Sequence, residues 1–201
     1  MKCVAVIFLM LFTWSKHVVA NTTEWTIGTV VLNNDQVVNA EISIAAKHDL
    51  VLIKHDDRVD VLAAHRIKAI YYYDKNQDLN RKFISVATNN FHHQQWRLYE
   101  VVLGGDIAVV RKMKTIASKA ESDKDDFDYF IYSHNEMVSL KRFRTLIYPE
   151  LVASQGELLT AYVKANRLNP NNGANAIAIV ERFNKLVDAA GADAHYVALS
   201  L

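Results

Sequence analysis

Residues 38–46 read VNAEISIAA, and this stretch decides the fold. Its apolar and polar side chains alternate, which predicts a β-strand that buries one face. Four more strand patterns surround it, separated by polar turns: Trp25–Leu32, Leu50–Ile53, Val59–Leu62 and Ile67–Tyr73. A flat sheet of such short strands leaves a face and two edges exposed, so we expect residues 21–75 to form a small barrel-like unit.

A second antiparallel sheet is predicted over residues 76–140. Gly104-Gly105-Asp106 separates two apolar segments and is typical of a hairpin connection. The acidic segment Glu121–Asp128 is expected to be a solvated loop. The predicted strands are Phe83–Ala87, Trp96–Leu103, Ile107–Met113, Tyr129–Tyr132 and Met137–Leu140.

Helices are predicted over residues 141–191, because the period of the apolar residues changes after Leu140. The first apolar helix face begins at Phe143, and Pro149 is expected to end or bend that helix.

Ser154 and Glu157 have the spacing of a capping box, which predicts the start of another helix. The last helix covers Ala176–Val187, and Gly191 is placed to cap its C-terminus. Residues 192–201 form an unassigned tail. The chain is therefore predicted to be an α+β protein, with antiparallel strands followed by two or three C-terminal helices.

Residues 1–20 have the three-part layout of a secretory signal peptide. Lys2 supplies a positive charge, Cys3–Trp14 is apolar, and Val18-Val19-Ala20 offers small residues to a signal peptidase. A membrane-spanning helix needs roughly 20 apolar residues, more than this run contains. We therefore expect cleavage after Ala20 rather than a retained anchor, and no integral membrane segment afterwards. The mature protein would be periplasmic, outer-membrane-associated or secreted.

Charge and cysteine content narrow the classes of partner. Without Lys2 and Lys16 the 23 basic residues fall to 21, against 22 acidic ones, so no nucleic-acid partner is expected. Cys3 is the only cysteine and lies at the start of the apolar run rather than directly after it, which argues against lipid anchoring at that residue. A mature chain without cysteine excludes disulfides and thiolate metal sites, and this favours a bacterial envelope.

The order of these elements resembles known small β-barrels. Gly28 in a strand, the turn Asn33-Asn34-Asp35 and the strand Val38–Ile44 are similar to the start of SH3-like or photoreaction-centre-type barrels. With the later elements included, the chain is similar to exported bacterial envelope proteins of uncharacterised function, and the resemblance covers most of residues 25–187 in the order of elements. The later elements are Arg81-Lys82-Phe83, the hairpin Tyr99–Gly105, the strand Tyr129–Tyr132 and the C-terminal helical pair. This resemblance implies a fold and a location, and it brings no active-site residue with it.

Histidines are the first candidates for chemistry. His92 and His93 are adjacent, so their side chains diverge in an extended chain and do not form a metal pair by themselves. Glu100 can complete a metal site with one of them only if the fold brings the two side chains together. The remaining histidines are interpreted as solvated tips or as residues without a partner pattern: His48, His55, His65, His134 and His195. No metal and no other cofactor is predicted.

Other motifs also favour structural interpretations. The chain after Ala20 contains neither G-x-S-x-G nor S-x-x-K, and Gly104-Gly105 lacks the lysine of a phosphate loop. In Lys141-Arg142-Phe143-Arg144 the ring is expected to point inward and the cations into solvent. In Tyr71-Tyr72-Tyr73 the middle ring is expected on the opposite face from the outer two. The acidic cluster indicates solubility rather than a calcium loop or a carboxylate pair: Asp123, Asp125, Asp126 and Asp128.

Aromatic residues allow two interpretations, packing between layers or a binding surface. Besides the three tyrosines they include Trp25, Trp96 and Tyr99. No catalytic residue is predicted, and enzyme activity stays uncertain. The leading hypothesis is a non-enzymatic exported protein that binds another envelope protein or a surface polymer. The alternatives are a carrier of a small apolar ligand, held between sheet and helices, and a hydrolase with an unrecognised site.

Overall fold

The computed structural model describes residues 24–90, 93–114 and 126–198. These residues form one antiparallel sheet of ten strands followed by two helices, which confirms the predicted α+β class. The predicted signal peptide and its cleavage position after Ala20 lie outside the described residues. The strands are β1 (Thr26–Leu32), β2 (Val37–Ala45), β3 (Leu50–His55), β4 (Arg58–Ala63), β5 (Ile67–Asp74), β6 (Leu79–Asn90), β7 (His93–Leu103), β8 (Ala108–Met113), β9 (Phe127–Ser133) and β10 (Glu136–Ser139). The helices are α1 (Tyr148–Ala165) and α2 (Gly173–Ala198).

Each of the ten predicted strand patterns corresponds to one of these strands. They are arranged in the order β10-β9-β8-β7-β6-β5-β1-β2-β3-β4. We predicted two separate sheets, and the structure joins them, because β5 pairs with β6 from Ala69↔Ile84 to Asp74↔Leu79. The strands β6 and β7 are 12 and 11 residues long, so both halves of the sheet can share them. The division into units at residues 75 and 140 stays a prediction.

The first half of the sheet curls back onto β6 and β7. Ser85 Oγ donates a hydrogen bond to the carbonyl oxygen of Ala64, and the Leu98 N–H donates one to Asp49 Oδ1 (2.7 and 2.8 Å). Phe83 and Leu98 complete the first core, which otherwise comes from β1–β5 and the turn after β4. The first core therefore needs residues from the region predicted as the second sheet.

A second core lies between the end of the sheet and the helices. Val109 and Ile131 pack there against residues of both helices and of the turn before α1: Phe143, Leu151, Leu159, Ile179 and Phe183. Residues paired across neighbouring strands project to the same face of a sheet, and so do residues two apart in one strand. Ile70 lies opposite Phe83, Phe83 opposite Glu100, and Glu100 opposite Arg111. This row of pairs leads from the first core to the second, so both cores lie on one face of the sheet.

The helix boundaries differ from the predicted ones. Pro149 lies in the first turn of α1, where its missing N–H has no helical partner to lose, so it begins the helix and does not end it. In the described part of the chain Ser154 makes no capping hydrogen bond. The interruption falls at Gly156 instead, whose φ of 45° and ψ of −122° are non-helical. Gly191 lies inside α2, which continues through the predicted tail to Ala198.

Candidate functional site

A cleft of about 260 Å³ lies between the end of the sheet and the two helices. Its lining residues come from the β7–β8 connection, from β9 and β10 with their turn, and from both helices. The apolar members form the floor, and Ile131, Leu151 and Phe183 are buried there. They are Ile107, Ile131, Val138, Ile147, Leu151 and Phe183.

The rim of the cleft is polar and acidic. Ser133 and His134 lie on it together with three exposed carboxylates, Asp106, Glu136 and Glu150. Within residues 24–90, 93–114 and 126–198, none of the three carboxylates forms an ion pair. Neither the three acids nor their convergence could be recognised in the sequence, because they lie on three different elements.

Asn184 of α2 holds the loop that carries Asp106. Only 5% of Asn184 is exposed. Its Oδ1 accepts a hydrogen bond from the Ile107 N–H (3.1 Å), and its Nδ2 donates to the carbonyl oxygens of Ile107 (2.8 Å) and Gly104 (3.3 Å). Gly105 has a φ of 138°, and a Cβ there would overlap the Asn184 amide. The expected hairpin at Gly104-Gly105 is thus confirmed, and the helix fixes its shape.

The turn before α1 has an unusual backbone. Residues 143–147 form a π-helical turn, which brings Ile147 to the cleft. Such turns are rare and occur frequently at functional sites. Phe143 is fully buried and the neighbouring Lys141, Arg142 and Arg144 are exposed, as predicted from the sequence.

The β9–β10 hairpin sets the position of His134. His134 and Asn135 both have positive φ, 49° and 63°, as a two-residue hairpin turn requires. Ser133 Oγ lies 2.9 Å from His134 Nδ1 and 3.4 Å from the carbonyl oxygen of Asp106. A serine nucleophile needs a histidine that a third group orients. Among the residues described, none hydrogen-bonds the other ring nitrogen of His134.

Glu100 belongs to a buried ionic cluster between the two cores. Arg111 donates from Nε to Glu100 Oε2 (2.8 Å), and Arg81 donates to the same carboxylate. Arg81 also donates from Nε to Asp74 Oδ2 (2.7 Å), and this hydrogen bond lowers the pKa of Asp74 below 3.8. His93 lies seven positions from Glu100 in β7, roughly 23 Å at about 3.3 Å per residue. The backbone of His93 therefore lies far from Glu100 along the strand.

A second, wider groove of about 600 Å³ brings His48 and His65 beside Trp96. Asp49 in this groove already accepts hydrogen bonds from the Leu98 N–H and from Lys112. Burial lowers the pKa of Lys112, and the Asp49 carboxylate partly offsets this effect. These charged groups are engaged with one another, unlike those at the rim of the cleft.

The other predicted positions are scattered. His55 lies 3.6 Å from Asp60 on the surface. Asp128 of β9 lies opposite Lys112 of β8 in the strand register, and His195 falls within α2. His92, Asp123 and Asp125 lie outside the described residues. Across the described ranges, no three histidine, aspartate or glutamate side chains are placed to hold a metal ion.

The aromatic residues are divided between packing and surface. Tyr72 is half-buried and stacks on Phe83 (6.2 Å), whereas Tyr71 and Tyr73 are 42% and 45% exposed, so the predicted alternation is confirmed. Tyr99 packs edge-on against Phe130 (5.7 Å). Trp96 packs on the first core and also lines the wider groove, and Trp25 is half-buried.

Comparisons with family models, with curated proteins and with solved structures find no match. No helix in the described part of the chain is both long enough and apolar enough to cross a membrane.

Proposed function

We propose that this chain is an exported binding protein of a bacterial cell envelope, and that its cleft between sheet and helices holds a small ligand with an apolar body. The observation that carries the proposal is the combination of an apolar floor with a polar rim. Binding pockets for small molecules commonly have this composition. Among our sequence-based hypotheses, the carrier of a small apolar ligand therefore receives the most support.

The size of the cleft limits the ligand and its affinity. About 260 Å³ accommodates an alkyl chain of a few carbons or a single aromatic ring. Burial of apolar surface contributes roughly 25 cal/mol per Å², from which the costs of association are subtracted. We expect dissociation constants between about 1 μM and 1 mM, or about −8 to −4 kcal/mol.

Hexan-1-ol is a suitable neutral probe, and its binding can be followed by saturation-transfer NMR. Val138→Phe puts a ring into the floor from β10, and we expect it to abolish the signal. Val61→Phe on β4 is the matched control, because Val61 is 55% exposed at the opposite edge of the sheet. Equal signals from both variants would contradict the proposed cleft.

The contact between Ser133 and His134 favours a second candidate function, hydrolysis of an ester seated in the same cleft. Ser133→Ala distinguishes the two functions. A binding protein retains its affinity for hexan-1-ol and shows no turnover before or after the substitution. A hydrolase cleaves a short-chain ester and loses that activity with the hydroxyl.

Export rests on the layout of residues 1–20. We propose cleavage after Ala20 and either another envelope protein or a surface polymer as the macromolecular partner. Intact-mass measurement of protein recovered from the envelope fraction tests the first part. A chain beginning at Asn21 supports cleavage, and a chain that retains Met1–Ala20 contradicts it.

A further inference from the structure

The acids around the cleft have no cationic partner in the described part of the chain. Some other exposed acids of the sheet do have one, such as Glu41 with Lys54 (2.7 Å) and Asp35 with Lys68 (2.6 Å). The three rim carboxylates have no ion-pair partner among the residues described. The mouth of the cleft is therefore a region of uncompensated negative charge above an apolar floor.

We infer that the cleft selects an amphiphile with a cationic head group, of which an alkylammonium or arylammonium ion is the simplest example. The inference rests on the proposed ligand cleft and adds the charge of its occupant. The apolar floor defines the site, and the carboxylates determine which end of the ligand remains at the mouth.

Three separate elements supply the negative charge. Asp106 follows the hairpin that Asn184 holds, Glu136 begins β10, and Glu150 lies in the first turn of α1. These charges attract an ammonium ion and repel a carboxylate or phosphate at the same mouth.

The basic groups near the rim form no ion pair with its carboxylates among the described residues. His134 has its Nδ1 against Ser133 Oγ. Lys141, Arg142 and Arg144 are exposed on the turn before α1, and in the described ranges they form no ion pair with the rim carboxylates. An ammonium group on the ligand supplies the missing countercharge while its apolar body fills the floor.

Three six-carbon ligands of similar shape test the inference: hexylammonium, hexan-1-ol and hexanoate. Calorimetric or NMR titration should give hexylammonium about a tenfold lower dissociation constant than hexan-1-ol, with hexanoate the weakest. Raising the salt from about 0.01 M to about 1 M should remove most of that preference, because exposed charges are screened.

Charge-neutral variants separate attraction from shape. Glu136→Gln and Glu150→Gln should each weaken hexylammonium about three- to tenfold and leave hexan-1-ol within about twofold. Glu157→Gln is the matched control, since Glu157 is exposed on the same helix as Glu150 and does not line the cleft.

The outcomes keep the two proposals apart. If none of the three ligands binds, the proposed ligand cleft is wrong. If hexan-1-ol binds as tightly as hexylammonium, or if the glutamine variants weaken both equally, the cleft stands and the cationic selectivity is wrong.

Discussion

Replacing Asn184 by alanine should both destabilise the protein and loosen one wall of the cleft. Asn184 is the buried polar residue that links α2 to the β7–β8 connection through three hydrogen bonds. Alanine keeps the helix and removes all three bonds. The Ile107 N–H and C=O then lose their partner in a half-buried position, whereas the Gly104 carbonyl can turn to solvent.

The expected cost follows from those groups. A buried donor or acceptor left without a partner costs about 1 to 3 kcal/mol. Two half-buried groups at the low end of that range give about 2 to 3 kcal/mol for Asn184→Ala. For a domain of this size that corresponds to a decrease in Tm of about 4 to 12 °C.

Urea unfolding followed by tryptophan fluorescence measures this loss as a lower midpoint at an unchanged slope. Lys185→Ala is the control on the same helix, because it removes an exposed pair with Glu181 that is worth about 0.5 kcal/mol or less. If Asn184→Ala costs no more than Lys185→Ala, the loop does not depend on Asn184. The same variant should weaken hexylammonium binding, since Asp106 is then no longer held at the rim.

Three further predictions concern stability. Glu100→Gln leaves two largely buried arginines without the carboxylate they share and should lower the unfolding free energy in urea by about 3 kcal/mol. Glu41→Gln on the surface should lower it by less than about 1 kcal/mol, and equal losses of unfolding free energy would contradict a buried cluster. Gly105→Ala should destabilise the wild-type protein, and it should destabilise the Asn184→Ala variant less, because alanine at position 184 leaves room for the new methyl group. Additive losses of unfolding free energy in a double-mutant cycle would rule this out. Burial raises the pKa of the Tyr99 hydroxyl above 10.0, so the stability that this shift contributes is complete below pH 10.0 and is lost as the pH rises through the raised pKa. Tyr99→Phe should therefore make the decrease in unfolding free energy at alkaline pH shallower, and an unchanged decrease would contradict this cause.

Most strands could be predicted because they are short apolar segments between polar turns, and β2 in addition keeps a period of two along its length. Val38 to Ala46 needs no distant partner to show which face is buried, and Tyr71-Tyr72-Tyr73 alternates for the same reason. The joining of two predicted sheets into one could not be predicted, because it depends on β6 beginning at Leu79, before its apolar segment. The polar residues Asn80, Arg81 and Lys82 precede that segment and pair with β5.

The cleft could not be predicted because its chemistry is dispersed along the chain. Asp106, Glu136 and Glu150 come together only when the hairpins and α1 meet, and each is an ordinary surface acid in the sequence. Asn184 bonds Ile107 across 77 residues, a distance at which no local pattern operates. Pro149 shows a related limit, since the same residue begins or ends a helix according to whether the preceding turn already leads into it.

The most direct test of the central claim is a methyl NMR titration of the protein, labelled at isoleucine, leucine and valine, with hexylammonium. We expect saturable shifts of the floor methyls of Ile131, Ile147 and Leu151. Ile42 in the first core should not shift, and neither should Leu50 in the wider groove. Shifts centred on Leu50, or no saturable shift at the floor, would contradict the proposal that the cleft between sheet and helices is the binding site.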